Sequence, residues 1–333
     1  MINKTQDEII KAWKNTSSSD PLVSISCITY NHINYIEQCL YGFLEQETDY
    51  PFEILIHDDC STDGTTEIIQ KYSTKYPDII KPMYETENQY QQGKPAGSLI
   101  WNIPRAKGKY IALCEGDDYW IDENKLQMQI DFLENNSDYG ICYTTVEEYN
   151  ENKKRFAKEV FGKKIDGFEE LILKGNCIPT LSVVLLKSLY LDYLKDIDPI
   201  PKKWMMGDYP LWLYILSKTK VKYFEKPTAV YRVLENSACH SDDLTKKVQF
   251  LDSIWDVKSF YCNFYNFPLP ERNFEREYYD LIVNSLKVYG YNKNKLLMLK
   301  KYYKQLNIVN KRDKINYLIV SNKFLLFLYR LFF

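Results

Sequence analysis

Hydrophobic positions along the first half of the chain follow two alternating periods. "LVSISCIT" (22–29), "FEILIHD" (52–58) and "GKYIALC" (108–114) are short apolar runs with β-branched and aromatic residues, and each predicts a buried strand. Between them, "NYIEQCLYGFLEQ" (34–46) sets Ile36, Leu40, Phe43 and Leu44 at helical spacing. "DGTTEIIQKYSTKY" (63–76) puts Ile68, Ile69 and Tyr72 on one helical face, with Asp63 as its N-cap. "DIIKPMYE" (78–85) predicts a weaker strand, "ENKLQMQIDFLENN" (123–136) an amphipathic helix and "YGICYTTV" (139–146) another strand. This β-α-β-α-β order implies an α/β domain, a mostly parallel sheet flanked by helices. Ligands of such sheets bind at the carboxyl ends of the strands.

The loops expected at those ends are polar: "TYNH", "HDDCSTDGT" and "EGDDYW". They are expected to converge on one crevice. Further along, residues 147–176 predict a loop plus a helix and "TLSVVLLK" (180–187) a strand. "GDYPLWLYILSK" (207–218) predicts a helix with Asp208 as N-cap and Pro210 in its first turn. "KYFEKPTAVYRV" (222–233) predicts two strands separated by a turn at Pro227, and from about residue 241 the pattern is helical. The expected organisation is a helical N-terminal extension (1–20), a main domain (21–235) and a helical, basic C-terminal appendage (236–333).

Composition adds little until charge is mapped. Of 333 residues, 45% are hydrophobic and 26% charged, which fits a soluble folded chain, and 12 Gly and 13 Pro argue against low-complexity linkers. The net charge of −2 hides an asymmetry. Residues 281–333 hold eleven Lys and Arg against one acid, Asp313, so this tail is +10 and the preceding 280 residues are −12. Such a tail points to an anionic partner. The 8 cysteines form no Cys-x-x-Cys pair, and several sit in apolar runs, as reduced thiols of a cytoplasmic protein do. The N-terminus carries charges within its apolar stretch, unlike a signal peptide, and no run approaches the ~20 apolar residues of a membrane span.

The candidate chemistry starts at "CEGDDYW" (114–120), with Glu115, Asp117 and Asp118 directly after an apolar strand. Crowded carboxylates resist burial, so water, a helix start or a cation has to satisfy them. A solvated turn capping the next helix is one reading. The other is a hard divalent cation, Mn²⁺ or Mg²⁺, shared with a diphosphate. Asp58 and Asp59 likewise close a strand in excess of what a turn needs, and a carboxylate there suits a base N–H. Asp208 reads as a helix cap. Of His32, His57 and His240, the last lies in a polar loop and is a candidate to reach the cation. No GxGxxG, Walker A or Gly-x-Ser-x-Gly element is present, which disfavours dinucleotide oxidoreductases, P-loop NTPases and α/β-hydrolases.

"PLVSISCITYNHINYIEQCLYGFLEQ", "FEILIHDDCSTDGTTEII" and "AKGKYIALCEGDDYW", in this order, resemble the family 2 glycosyltransferases of the GT-A fold. The resemblance runs over residues 21–146, extends more thinly through "TLSVVLLK", "MGDYPLWLYI" and "VYRV", and leaves the C-terminal third uncovered. It implies an inverting transferase that uses a nucleoside-diphosphate sugar, UDP-linked by expectation, and a divalent metal. It implies that Thr29, Tyr30 and Asn31 line the nucleotide pocket. Asp59 contacts the base beside Asp58, Asp117 meets the ribose or the metal-bound diphosphate, and Asp118 ligates the metal. It also raises Asp208 from cap to catalytic base. Lys94, Asn102 and Arg105 are the candidates to meet the diphosphate. Glu115 departs from the Asp many members carry, and the Gln-x-x-Arg-Trp element of processive members is absent.

The tail combines Lys314, Lys323 and Arg330 with Ile315, Leu318, Phe324, Phe327, Leu331, Phe332 and other apolar residues. It suits an interfacial helix on an anionic leaflet, peripheral to the inner face of the cytoplasmic membrane. The competing readings are packing on its own domain or on a second copy in a homodimer. Its apolar residues fit lipid or protein better than nucleic acid. With a glycan or lipid-linked acceptor, the expected setting is bacterial surface polysaccharide (capsule, O-antigen or lipooligosaccharide) assembly. Tyr119 and Trp120 are candidate sugar-stacking platforms. The competing functions are a sugar-1-phosphate nucleotidyltransferase, which needs a Gly-rich basic loop that "TYNHIN" lacks, and a non-catalytic scaffold.

Overall fold

A computed structural model describes residues 4–14, 20–94, 100–234 and 243–332. The chain forms two compact units, residues 1–234 and 235–333. His240 and Cys239 fall outside the described residues, so the expectation for His240 has no structural counterpart.

The first unit is built on one nine-stranded sheet. In chain order its elements are α1 (Gln6–Ala12), β1 (Val23–Thr29), α2 (Ile36–Leu44), β2 (Phe52–Asp58), α3 (Thr65–Lys75), β3 (Ile80–Tyr84), β4 (Tyr110–Leu113), β5 (Tyr119–Trp120), α4 (Lys125–Asn135), β6 (Tyr139–Asn150), β7 (Arg155–Phe156), α5 (Phe168–Lys174), β8 (Val184–Leu186), α6 (Lys187–Ile197), α7 (Asp208–Leu216) and β9 (Lys220–Val233). The strand order is β3-β2-β1-β4-β8-β6-β9-β5, with β7 paired to β6. The strands β3, β2, β1 and β4 are mutually parallel, as the alternating pattern predicts. Beyond β4 the sheet is mixed: β8 runs antiparallel to both β4 and β6, β9 parallel to β6, and β5 antiparallel to β9. The strands β1, β2 and β4 are almost wholly buried, so they read as continuous apolar runs. The core joins Ile25, Cys27, Ile54, Ile56 and Ala112 of these strands to Leu40 and Phe43 of α2 and Ile69 of α3. Ile9 of α1 lies in the same core, and Trp13 meets Phe52 edge to face at 5.5 Å, so this segment is part of the unit.

Four local expectations change. The region 222–233 is one strand, not two. Its register with β6 jumps from Thr144 opposite Phe224 to Thr145 opposite Pro227, so the irregularity at the proline is a bulge. The Thr145 hydroxyl donates to the bulged Glu225 carbonyl at 2.6 Å, and Lys226 projects to Asp122 at 2.6 Å. The run 180–187 gives a 3₁₀ turn at Thr180–Ser182 and only three strand residues. Residues 147–150, expected as loop, continue β6 as it pairs with β9. Both α3 and α7 begin one residue after a glycine, Gly64 and Gly207, and no side chain on either glycine caps them. Asp63 and Asp208 therefore act beside the helix starts, not as the N-cap residues.

The second unit holds α8 (Leu244–Phe264), α9 (Phe274–Tyr289), α10 (Lys293–Gln305), α11 (Lys311–Ser321) and α12 (Lys323–Phe332). Asn273, Asn292 and Asn310 cap α9, α10 and α11 with their side chains. Tyr279, Ile282, Leu286, Leu299, Val320 and Leu326 form its core. Asp313, 3% exposed at its side chain, takes both nitrogens of a fork from Arg276 at 2.7 and 3.0 Å. Among the described residues no single helix is long and apolar enough to cross a membrane; α11 and α12 reach that composition only together, bent by 105°.

Candidate active site

Three loops meet where β1, β2 and β4 end. Asn31 takes a left-handed φ of 56°, which turns the chain sharply after β1. Its N–H donates to the Ser61 hydroxyl at 2.9 Å and its Oδ1 accepts the Thr62 N–H at 2.8 Å. The His32 N–H donates to the Thr65 hydroxyl at 2.8 Å, and the Ile33 N–H to Asp63 at 3.0 Å. The first two loops are thereby zipped together. The third joins through Gly116, whose N–H donates to the Ile28 carbonyl at 2.9 Å. A Cβ on Gly116 would stand 2.7 Å from Thr29 Oγ1, so the acid loop can close on β1 only with glycine there. Thr29 is buried, Tyr30 half-buried and Asn31 exposed at this junction.

The two aspartate pairs have different surroundings. Asp58, 1% exposed, accepts the Ser61 N–H and hydroxyl through Oδ1 at 3.1 and 2.5 Å, and the Thr66 hydroxyl through Oδ2 at 2.5 Å. Asp59 accepts the N–H groups of Gln89 and Tyr90 at 2.7 and 3.1 Å. Asp118, 3% exposed, accepts among the described residues only the Arg232 N–H, at 2.7 Å on Oδ1. Asp117 is half-buried with His32 Nε2 3.9 Å away. Burial, then the charges of Asp117 and Glu115, drive the Asp118 carboxyl far above the ordinary carboxylate range. Glu115 is pushed up to about 7, by burial first, then by Asp117 and by Asp208. Burial lowers His32 against the pull of Asp117. The hydroxyl of Thr29 lies 3.1 Å from His32 Nδ1.

Asp208 approaches from the first turn of α7. Asn176 donates to its Oδ2 at 2.7 Å and Thr180 at 3.3 Å, while the Tyr209 N–H meets Oδ1 at 2.7 Å. Burial raises its carboxyl above the usual value, against those three donors. Thr180 donates to Asp208 and the adjacent Leu181 carbonyl accepts the Trp120 N–H, so the Thr180–Ser182 turn links the start of α7 to the strand that follows the acid loop.

Other candidates have different work. Lys94 is exposed, bonds to Gln89 Oε1 at 2.5 Å and lies over Trp101 at 5.8 Å, on the segment anchored by Asp59. Asn102 is fully buried and donates to Ser26, Cys27 and Leu55, and Arg105 donates to the Ile56 and Lys81 carbonyls. Both pin the parallel strands, which spends the polar groups a diphosphate would need. Trp120 is buried against Phe43 at 4.7 Å, with its N–H on the Leu181 carbonyl at 2.9 Å, so it is core and not a stacking platform. Tyr119 is half-buried, with the Arg232 guanidinium over its ring. Sequence reading missed Arg232, Asn176 and Thr180; an arginine inside the apolar run "VYRV" was the one available signal.

Oxygen donors dominate the acid loop, which suits a hard cation. Asp118 keeps Oδ2 without a hydrogen bond among the described residues, and Asp117 adds a second carboxylate. Among those residues no group of three or more His, Cys, Asp or Glu could enclose a metal by itself. A site with one or two protein carboxylates, completed by phosphate oxygens, is what these residues fit.

Residues 24–190 match the family model described as "Glycosyl transferase family 2". Uncharacterized proteins of Mycobacterium tuberculosis and Mycobacterium bovis are 32% identical over 220 residues, covering 66% of this chain and 61% of theirs. The chain therefore spans about three fifths of those relatives' length. The Escherichia coli UDP-Glc:alpha-D-GlcNAc-diphosphoundecaprenol beta-1,3-glucosyltransferase WfaP is 32% identical over 201 residues, 59% of this chain and 71% of that protein. A crystal structure of Staphylococcus aureus TarS 1-349 with UDP-GlcNAc aligns over 90% of both chains with a TM-score of 0.52 and 18% identity. The mannosyltransferase PcManGT from Pyrobaculum calidifontis, solved with GDP-Man and Mn²⁺, aligns over 94% of this chain and 88% of its own, with a TM-score of 0.52 and 14% identity. These two likenesses bear on the fold, which is of the GT-A type. With half of its length matched by the family model, the chain belongs to glycosyl transferase family 2.

Proposed function

We propose that this chain is an inverting glycosyltransferase that moves a sugar from a nucleoside-diphosphate sugar, UDP-linked, to a hydroxyl of a glycan or lipid-linked acceptor. The observation that carries this reading is the joining of the acid loop, Glu115 to Asp118, to the zipped loops of β1 and β2 through the Gly116 N–H, with Asp118 buried on one backbone N–H among the described residues. Thr29, Tyr30 and Asn31 line the nucleotide side, and Asp59 offers its carboxylate edge to the base. Asp117 and Asp118 would hold the divalent cation, Mn²⁺ or Mg²⁺, that the donor diphosphate brings with it. When bound, that cation offsets the negative charge of the departing diphosphate. Asp208 accepts the proton of the acceptor hydroxyl, and Asn176 and Thr180 keep its Oδ2 in place. The anomeric carbon passes through an oxocarbenium-like state, as at other glycosyl centres.

The setting we propose is bacterial surface polysaccharide assembly at the cytoplasmic face of the membrane. WfaP, by its name, acts on a diphosphoundecaprenol-linked sugar, which supports a lipid-linked acceptor here. The exposed apolar residues Phe324, Phe327 and Leu331 on one face of α12, with Ile315 and Leu318 on α11 and the basic tail around them, support a peripheral contact with anionic lipid. Phe327→Asp with Leu331→Asp is expected to abolish co-sedimentation with anionic vesicles. Unchanged sedimentation contradicts the contact, and a fall in mass by light scattering assigns the face to a homodimer.

The donor is tested by thermal shift with UDP, GDP, CDP and dTDP, each with and without Mn²⁺. Selective, Mn²⁺-dependent stabilisation by UDP is expected. No shift with any of the four contradicts the reading.

A further inference from the structure

The end of β9 supplies a side chain that reaches the acid loop from outside it. Arg232 is 4% exposed. Its guanidinium lies over two rings, 5.0 Å from that of Tyr35 and 4.3 Å from that of Tyr119. Nη1 donates to the Asp117 carbonyl and Nη2 to Gln38 Oε1 of α2. Nε faces Glu151 at the end of β6, 3.3 Å away, and the residue's own N–H donates to Asp118 Oδ1 at 2.7 Å. One residue therefore grips the backbone of the first aspartate and the carboxylate of the second. It does so while braced on a helix, a strand end and two aromatic rings.

We propose that Arg232 is a positioning residue for the cation–diphosphate site: it sets the orientation of Asp117 and Asp118 and leaves Asp118 Oδ2 and the Asp117 carboxylate facing the ligand. This rests on the functional reading above. The geometry separates two roles for the arginine. If it only supplied positive charge near buried acids, any cation there would serve. The side-chain contacts instead use three nitrogens of the planar fork and set the guanidinium over two rings, which an ammonium point charge cannot reproduce. Lysine at this position keeps the charge and loses the fork, the stacking and two of the three side-chain contacts.

The test is the Mn²⁺ concentration that gives half-maximal stabilisation by UDP, read by thermal shift and by calorimetry on the full chain. Arg232→Gln and Arg232→Lys are both expected to raise it roughly tenfold or more, the usual effect of losing a residue that orients metal ligands. Gln38→Leu removes one arm only and is expected to raise it about fivefold, the scale of one ordinary net hydrogen bond. This variant carries the test if the Arg232 variants do not fold. Restoration of the wild-type midpoint by Arg232→Lys overturns positioning in favour of charge. Wild-type midpoints in Arg232→Gln, or in Gln38→Leu when it alone folds, overturn the proposal too. Failure of wild type to respond to Mn²⁺ with any of UDP, GDP, CDP or dTDP is read on wild type alone; it overturns the functional reading, and this proposal with it.

Discussion

Asp58–Asp59 and Asp117–Asp118 both follow buried parallel strands at the same end of the sheet, and as letters they are alike. Their surroundings are opposite. Asp58 has two hydroxyls and an N–H from its own loop, and Asp59 has two N–H groups from residues 89 and 90. The second pair, with Glu115 beside it, has among the described residues a single backbone N–H on Asp118 and an imidazole 3.9 Å from Asp117. Asp58, saturated by hydrogen-bond donors, is architecture; carboxylates that are buried, crowded by their own kind and short of donors suit a ligand, as proposed for Asp117 and Asp118. The supply of donors, more than the presence of an Asp-Asp pair, separates the two.

That contrast can be broken or sharpened at several points. The largest effect is expected at Asp208, the proposed base. Asp208→Asn lowers kcat by roughly 10²–10⁴, the range of a positioned general base, with Mn²⁺-dependent nucleotide binding intact. A kcat within tenfold of wild type contradicts the assignment. Next is the first pair. Asp58→Ala strands the Ser61 and Thr66 hydroxyls and is expected to cost about 2 kcal/mol of stability in chemical denaturation, with kcat nearly unchanged. A stability-neutral Asp58→Ala with lost turnover would reverse the roles of the two pairs. The smallest effect is on pH dependence. A base works ionised, and burial raises Asp208 above the ordinary carboxylate value, so kcat falls as the pH drops through that raised value. The Asn176 amide favours the ionised form. Asn176→Ala therefore moves the acid limb of the kcat profile to higher pH, by less than about one unit. A limb that stays, or moves to lower pH, removes Asn176 from the site.

The parts of the fold legible in the sequence are those set by local period and burial. The runs 22–29, 52–58 and 108–114 each contain a strand buried on both faces, Val23–Thr29, Phe52–Asp58 and Tyr110–Leu113, and the polar loops after them mark where the crevice forms. The long strand at 220–233 was not legible as one strand, since a proline in a run reads as a turn until its partner strand absorbs it as a bulge. Trp120 beside two acids looks like a ligand platform; that it is core follows from Phe43 and Leu181, which come from distant parts of the chain. Asn102 and Arg105 carry the right chemistry for a diphosphate, and only the sheet reveals that strand carbonyls claim them. Arg232 is the converse case, a site residue hidden in a strand pattern because its partners lie 81 to 197 positions earlier in the sequence.

The most direct measurement is thermal unfolding of wild type, Asp58→Asn and Asp118→Asn, each with and without Mn²⁺ and UDP. Asp118→Asn keeps an oxygen for the Arg232 N–H and thins a crowded set of carboxylates, so its ligand-free Tm is expected to match or exceed wild type while its Mn²⁺-dependent shift disappears. Asp58→Asn is expected to melt lower and to keep the shift. A shift retained in Asp118→Asn and lost in Asp58→Asn would contradict the division of labour between the two pairs.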